Sequence, residues 1–403
     1  MVHVSVVIVN YNSGAYAAQL VDGLQKERVL DPHGRPSELE IIVVENDSPS
    51  DQHEFLDPLS ERGIQVLSPG ANLGYGGGCN YGLDHACGTH VLFMNPDVFV
   101  APGSIQHLSR YLDEHPEAGQ AGPRGWFDCH RFLYLPRIEL PTLALHFADA
   151  WRRTCKRRAA AFARRRSRNA LRIWAAARPQ EEPVLAGYAF MMPAELARRL
   201  GPFDPRFPLY FEDSDLTRRV RESGYQCVLV PQAEMVHLFN KCAGQFELES
   251  SDKHNFSQQL YFEKHYGRLG GRIGASLTHW IRANGTRRGA HEFQGCVDLG
   301  PLSEPPLFRL PPNASRTVME LTIDPMFTLA VGRIESRREV SIPEGVWEHL
   351  EPTQFYVRFL SLPQFEVVGA WKFLKTAPLR PVQGFADFER RFQQSVLPSS
   401  LDP

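Results

Sequence analysis

Val4-Ser5-Val6-Val7-Ile8-Val9-Asn10-Tyr11-Asn12-Ser13 decides the fold: a run rich in β-branched residues stops at a cluster of polar turn formers. Such a run, without polar alternation, is what a strand buried on both faces of a sheet requires. The texture returns at Ile41-Ile42-Val43-Val44, which ends in Glu45-Asn46-Asp47-Ser48, and at Val91-Leu92-Phe93-Met94, which ends in Asn95-Pro96-Asp97. Gly63 to Leu67 reads as a shorter strand, while residues 14–28 and Asn80 to Ala86 read as helices. Strands alternating with helices predict an α/β fold with a mostly parallel sheet covered on both faces. Ligands in such sheets bind beyond the carboxyl ends of the strands. Asn10, Tyr11, Asn12, Glu45, Asn46, Asp47 and Asp97 are therefore expected to face one crevice. Turn formation is the competing explanation, because Asn and Asp followed by Ser are common turn formers.

With 403 residues the chain has room for two or three domains and a large core. Hydrophobic residues make up 43% and charged residues 22%, the balance of an ordinary globular protein. Seven cysteines, odd in number, scattered and without a CxxC pair, argue against a disulfide framework or a zinc site and fit a reducing cytoplasm. The N-terminus enters the first strand without a basic region or cleavage signature, so no signal peptide is expected. No stretch of about 18 uninterrupted apolar residues predicts a membrane span.

Three carboxylates fall in four positions of Pro208-Leu209-Tyr210-Phe211-Glu212-Asp213-Ser214-Asp215-Leu216. Close carboxylates raise one another's pKa, and folding alone gives no reason to cluster them. A site that takes a proton from a hydroxyl gives one. The competing explanation is an acidic helix N-terminus, since Leu216 to Ser223 reads as a helix and acids suit its positive end. Asn72-Leu73-Gly74-Tyr75-Gly76-Gly77-Gly78-Cys79-Asn80 reads as a loop whose bare N–H groups suit a phosphate or ribose. It approximates a dinucleotide fingerprint, but Cys79 stands where a third glycine belongs and the run follows the third strand, not the first. That disfavours a nicotinamide-dependent oxidoreductase. Asp97, at a strand end, suits Mg2+ or Mn2+, which take one or two carboxylates and complete their shell with water and phosphate oxygens. Asn-Pro-Asp is also good turn chemistry.

Together these residues resemble one family, the inverting glycosyltransferases of family 2 with the GT-A fold. The segments that carry the resemblance are Ser5 to Ser13, Ile42 to Ser48, Asn72 to Asn80 and Phe93 to Asp97. Further on come Ala186-Gly187, Gly201-Pro202-Phe203-Asp204, Glu212 to Leu216, Gly224-Tyr225 and His237, with Asn255 to Gly267 as a closing segment. Within the family the likeness is to bacterial rhamnosyltransferase-like enzymes of surface polysaccharide synthesis. It covers roughly residues 3–267. It implies a nucleoside-diphosphate sugar as donor, dTDP-rhamnose or a UDP-sugar. The implied acceptor is a hydroxyl of a glycan or polyprenyl-linked glycan.

The resemblance also assigns roles. Asn10, Tyr11 and Asn12 would hold the nucleotide base, with Asn46 beside them. Glu45 stands where relatives usually carry an Asp. Asn72, Gly74, Tyr75, Gly76, Gly77 and Asn80 would line the donor pocket. Asp97 matches the last acid of the metal motif and Asn95 replaces its first. His237 matches a position that touches metal or diphosphate in some relatives, and Mg2+ or Mn2+ is the implied cofactor. Asp213 matches the general base, with Gly187 and Glu212 on the acceptor side. A nucleotide-sugar-binding protein without transfer activity is the other class of function; it would require Asp213 or Asp97 to be idle.

Ten Arg or Lys residues occupy 152–172 without one acid, although the whole chain has a formal net charge of -2. Trp151, Phe162 and Trp174 interleave with them, as in segments that settle on anionic membranes. The apolar residues keep to no clean helical stripe, so a basic, partly ordered insertion at about 150–176 is expected. It is read as touching the inner face of the plasma membrane or a lipid-linked acceptor. Nucleic-acid binding has no motif support. The domain boundaries expected are 1–270 for the GT-A domain and 285–403 for a smaller β-rich domain, with Val318 to Ile323, Phe327 to Val331, Gln354 to Leu360 and Phe365 to Val368 as strands. For that domain a sandwich fold, sugar binding and homodimer formation all stay open.

Overall fold

The computed structural model describes residues 2–238, 247–289, 296–379 and 384–393. They form two compact units: residues 1–125, 138–141 and 177–275, and residues 126–137, 142–176 and 276–403. The basic segment thus groups with the C-terminal residues, as do Phe132 and Leu133, which are buried in the C-terminal core with Phe308 and Phe359.

In the N-terminal unit the strand Val4–Asn10 lies parallel between Leu39–Glu45 and His90–Met94, and Gln65–Leu67 continues the parallel edge. Val6, Val7, Ile8, Ile42, Val43, Val44 and Val91 through Met94 have no exposed surface, as the unbroken apolar runs predict. Asn10 pairs with Glu45, and Ile8 with Met94, so the first two carboxyl ends finish level and the third stops two residues short of them. Ala189–Pro193 then runs antiparallel to His90–Met94, with Ala189 opposite Met94, and so enters the sheet at that same edge. Ala118–Trp126, Gln226–His237 and Val98–Val100 complete the order, and His237 sits opposite Val98. One edge of polar strand ends is the consequence, and it positions the site.

The glycine run is not a loop. Gly74–His85 is a helix that rides directly on the sheet. A Cβ on Gly82 would lie 2.4 Å from Val7 Cγ1, one on Gly78 2.8 Å from Val9 Cγ1, and one on Gly76 2.8 Å from Phe203 Cβ. Close helix–sheet packing therefore accounts for Gly78 and Gly82, and the Phe203 side chain for Gly76. At the opposite, amino-terminal edge His3 Nε2 meets Asp113 at 3.0 Å and its Nδ1 meets Thr89 Oγ1 at 2.8 Å.

The C-terminal unit holds a five-stranded sheet ordered Val297–Leu302, Val367–Lys375, Gln354–Ser361, Thr317–Thr322 and Val331–Glu335. The strand expected at Phe327 to Val331 begins only at Val331, because the Asp324 carboxylate accepts from Met326 N and Thr328 N at 2.9 Å and forms a turn there. The basic segment is helical on both sides of a turn at 153–155, as Leu143–Arg152 and Lys156–Trp174. Its buried stripe is Ala159, Ala163, Ser167, Ala170 and Trp174, at helical spacing, so a stripe does exist, built mostly of small residues. Trp174 Nε1 donates to Leu135 O at 3.0 Å, and Arg358 reaches Ser167 Oγ while pairing with the buried Glu320 at 2.7 Å. No helix among the described residues is long and apolar enough to cross a membrane.

Candidate active site

The polar ends of the first two parallel strands hold each other. Asn10 is fully buried; its Nδ2 donates to the Glu45 carboxylate, and its Oδ1 accepts from Ser13 N at 3.1 Å and Ser13 Oγ at 2.8 Å. The other Glu45 oxygen accepts from Ser48 N at 2.8 Å. Asn12 and Asp47 take left-handed conformations, φ 52° and 58°, and Ser48 Oγ accepts from Asn12 N at 2.9 Å. These polar groups shape two abutting turns, which leaves the half-buried Tyr11 and the exposed Asp47 as the side chains that reach outward.

Asn46 clamps the start of the glycine helix. Its Oδ1 accepts from Leu73 N at 2.9 Å, and its Nδ2 donates to Asn72 Oδ1 at 3.2 Å and Gly74 O at 3.1 Å. Gly74 has φ +71°, and its Cβ position lies 3.1 Å from Pro208 O, so glycine is required twice over. Asn80 grips the neighbouring segment through both main-chain groups of Phe203, at 2.8 and 3.1 Å. Tyr75 donates to Gly187 O at 3.3 Å. The glycine helix thus meets the acidic segment on one side and residue 187 on the other. Gly77 faces only Leu73 of its own helix.

Tyr210 and Phe211 both have φ 67°, two consecutive non-glycine residues in the left-handed region. Each costs about 1–3 kcal/mol and persists only where surrounding packing imposes it. The Phe211 ring rests on Tyr261, centroids 5.6 Å apart. This bend starts the helix Glu212–Glu222, so the competing explanation is also correct: all three acids occupy its first turn. Their environments differ sharply. Asp215 is fully buried and pairs with Lys264, His265 and Arg219 at 2.7, 2.8 and 2.9 Å, tying two helices together. Burial opposes its ionisation, but the hydrogen bonds from His265 and Lys264 and the Arg219 charge outweigh it and lower its pKa.

Asp213 accepts from Gly187 N at 3.1 Å on one oxygen, and from Ser214 N at 2.6 Å and Ser214 Oγ at 3.2 Å on the other. Desolvation raises its pKa despite these donors. A Cβ on Gly187 would lie 2.7 Å from the Asp213 carboxylate. Glu212 is buried, and one of its oxygens has no hydrogen-bond partner. Burial, with the neighbouring Asp213 charge, pushes its pKa up to about 8.

Gly187 is followed by Tyr188, whose ring stacks on His237 at 5.0 Å. His237 Nε2 lies 3.3 Å from an oxygen of the buried Asp97. Asn95 N donates to Tyr188 O at 2.8 Å, and Leu238 N to Asp97 O at 3.1 Å. Two adjacent residues, 187 and 188, therefore connect Asp213 with the Asp97–His237 pair. Tyr188 escaped the sequence reading; its place beside Gly187 was the available signal. Asp97 and His237 put a carboxylate and an imidazole side by side, a donor pair that fits a divalent cation when phosphate oxygens complete the shell.

The sheet is mixed, parallel over four strands and antiparallel beyond them, where a mostly parallel one was expected. With this carboxylate-rich crevice at the carboxyl edge of the parallel strands, it has the GT-A sugar-nucleotide transferase fold. Residues 5–193 match glycosyl transferase family 2. The chain is a glycosyltransferase that carries a family 2 domain. It is 29% identical over 229 residues to an N-acetylglucosaminyl-diphospho-decaprenol L-rhamnosyltransferase of Mycobacterium tuberculosis, covering 51% of this chain and 68% of that one. An uncharacterised glycosyltransferase of Nostoc is 28% identical over 107 residues, 26% of this chain and 31% of the relative. Among solved structures, a mannosyltransferase of Pyrobaculum calidifontis in complex with GDP-mannose and Mn2+ aligns with 72% of this chain and 74% of its own. That alignment has a TM-score of 0.47 and 16% identity.

Proposed function

We propose that the chain transfers a sugar, with inversion, from a nucleoside-diphosphate donor to a hydroxyl of a polyprenyl-diphosphate-linked glycan at the inner face of the plasma membrane. L-Rhamnose from dTDP-rhamnose is the preferred donor, and a UDP-sugar the next. The observation that carries the reading is Asp213, held by the Gly187 and Ser214 donors at a helix start, one residue link away from Asp97 and His237.

In this mechanism Asp213 takes the proton of the acceptor hydroxyl as its oxygen bonds to the anomeric carbon. The bond from that carbon to the diphosphate oxygen breaks with its electron pair. Three fixed donors orient the Asp213 carboxylate toward the acceptor, and Gly187 leaves room for its approach. Burial favours the protonated form of Glu212, the neighbour of Asp213 in the turn. Asp97 and His237 would hold Mg2+ or Mn2+, with Asn95 beside them; when bound, the ion supplies charge neutralisation for the leaving diphosphate. Tyr11, Asn12 and Glu45 border the nucleotide side, and Asn46, Asn72, Gly74, Tyr75 and Asn80 form its floor. Relatives named as acting on a decaprenyl-linked acceptor support the acceptor class.

The test is nucleotide release across dTDP- and UDP-sugars with Mn2+ and a short-chain polyprenyl-diphosphate glycan, for wild type, Asp213→Asn and Asp97→Ala. General base catalysis contributes about 10²–10⁴-fold, so Asp213→Asn should lose at least a hundredfold in kcat while still binding donor. Near-wild-type turnover in that variant would remove Asp213 from the role.

A further inference from the structure

Helix Lys156–Trp174 has two opposite faces. Ala159, Ala163, Ser167, Ala170 and Trp174 are buried. Arg157, Arg158, Arg164, Arg165, Arg168 and Arg172 are exposed. At 3.6 residues per turn these six arginines fall within an arc of about 120°, centred opposite the buried stripe. Helix packing explains the stripe; it gives no reason for the arc. Arg152 and Arg153 are accounted for by Asp149, and Arg166 by its bond to Phe327 O. Among the described residues, no carboxylate lies within ion-pairing distance of Arg157, Arg158, Arg164 or Arg165. Six like charges on one face repel one another, and an exposed helix normally mixes signs.

The face has an aromatic margin. Phe147 and Trp151 stand one turn apart on the preceding helix, 59% and 52% exposed. The Arg158 guanidinium lies 4.2 Å over the Trp151 ring, which joins this margin to the arginine arc. Large exposed aromatics beside a cationic face match the interface of an anionic bilayer, where the ring enters the headgroup layer and the guanidinium meets phosphate. Phosphate oxygens suit arginine in particular, because its planar fork binds two at once. We infer that this arginine face, with Phe147 and Trp151, is a docking surface for an anionic phospholipid bilayer. Nucleic acid shares the phosphate chemistry, but two exposed aromatics one turn apart on a helix favour insertion into a headgroup layer over tracking along a strand.

The surface stands apart from the transfer reaction, so its test needs no activity. Full-length protein is sedimented with phosphatidylcholine vesicles, with and without phosphatidylglycerol, over a range of salt, and separately titrated with a single-stranded oligonucleotide. The variant carries Arg157→Gln, Arg158→Gln, Arg164→Gln and Arg165→Gln. A basic residue near an anionic surface changes partitioning about five-fold, so the variant should lose on the order of 10²–10³-fold in binding to phosphatidylglycerol vesicles. Wild-type binding should fall steeply with salt. A second variant, Phe147→Ser with Trp151→Ser, keeps every charge and should weaken the binding that survives at high salt. If the arginine variant does not fold, the wild type's preference for anionic over neutral vesicles still decides the matter. Equal binding to both vesicle types, or binding to neither, would overturn the inference. Tight oligonucleotide binding without vesicle binding would assign the face to nucleic acid instead.

Discussion

Replacing Glu212 with glutamine tests the electrostatic arrangement of the acidic turn. The side chain is 6% exposed, and its pKa moves from 4.5 to about 8, through burial first and the Asp213 charge second. A carboxyl whose folded pKa exceeds its unfolded one keeps a proton that the unfolded chain releases. Its stability contribution is therefore complete below about pH 4.5, shrinks as pH rises, and levels off above about pH 8. A shift of about 3.5 units at 1.36 kcal/mol each sets the decline on the order of 4–5 kcal/mol. Glutamine stays neutral throughout. Its amide N–H inherits a site without a partner and costs about 1–3 kcal/mol, but at every pH alike. The variant should thus be less stable than wild type at pH 5, and equal or more stable at pH 9. Burial also raises Asp128 to about 6 and Glu27 to about 7, which tilts the wild-type curve in the same sense. Those contributions cancel in the difference between the two proteins. All six tryptophans belong to the C-terminal unit, so fluorescence reports that unit's unfolding. Urea unfolding followed by far-ultraviolet circular dichroism adds the N-terminal transition. Parallel stability curves for the two proteins from pH 5 to 9 would refute the protonated Glu212. Turnover offers a second check: Glu212→Gln should retain most of the activity that Asp213→Asn loses.

Two further outcomes follow from packing at the site. Gly82→Ala gains about 1 kcal/mol of helix propensity, but sets a methyl 2.4 Å from Val7 Cγ1, and such overpacking costs about 1–3 kcal/mol. A net loss of melting temperature is expected, partly reversed by adding Val7→Ala; strict additivity of the two would mean the contact is not what glycine serves. Asn46→Ala removes three hydrogen bonds to residues 72–74, each worth about 0.5–1.5 kcal/mol. It should lower stability and weaken nucleotide binding in a titration with dTDP or UDP; unchanged nucleotide affinity would separate the glycine helix from the donor site.

The alternation of strand and helix was legible because fully buried parallel strands have no polar face to disguise them. Val6 through Val9 and Val91 through Met94 advertise their burial residue by residue. Small residues hide theirs. The Gly74–His85 helix looked like a loop because four glycines in five positions suggest flexibility. Close contact of Gly78 with Val9 and of Gly76 with Phe203 needs two of those same residues inside a helix. The arginine helix concealed its stripe in the same way: alanine and serine carry little hydrophobic signal, yet they are what lets a helix lie close against its neighbours. Asp215 looked equivalent to Asp213 in sequence, and only the arrival of Lys264 and His265 from another helix separates a structural carboxylate from a candidate base.

The linkage of the acidic positions was illegible for a different reason. Asp213 is held through the N–H of Gly187, Asn95 through the carbonyl of Tyr188, and Leu238 through the carbonyl of Asp97. Main-chain groups are present at every residue, so no pattern of side chains announces which of them will be used. Side chains identify the candidate acids. The strand register, with Ala189 opposite Met94 and His237 opposite Val98, determines which main-chain groups reach them. A one-residue slip of Ala189–Pro193 would exchange Phe190 and Met192 with Ala189 and Met191 between the sheet's two buried faces and displace Gly187 from Asp213 together. The packing of Phe190 against Phe93, centroids 5.6 Å apart, thus helps hold the candidate base in position without touching it.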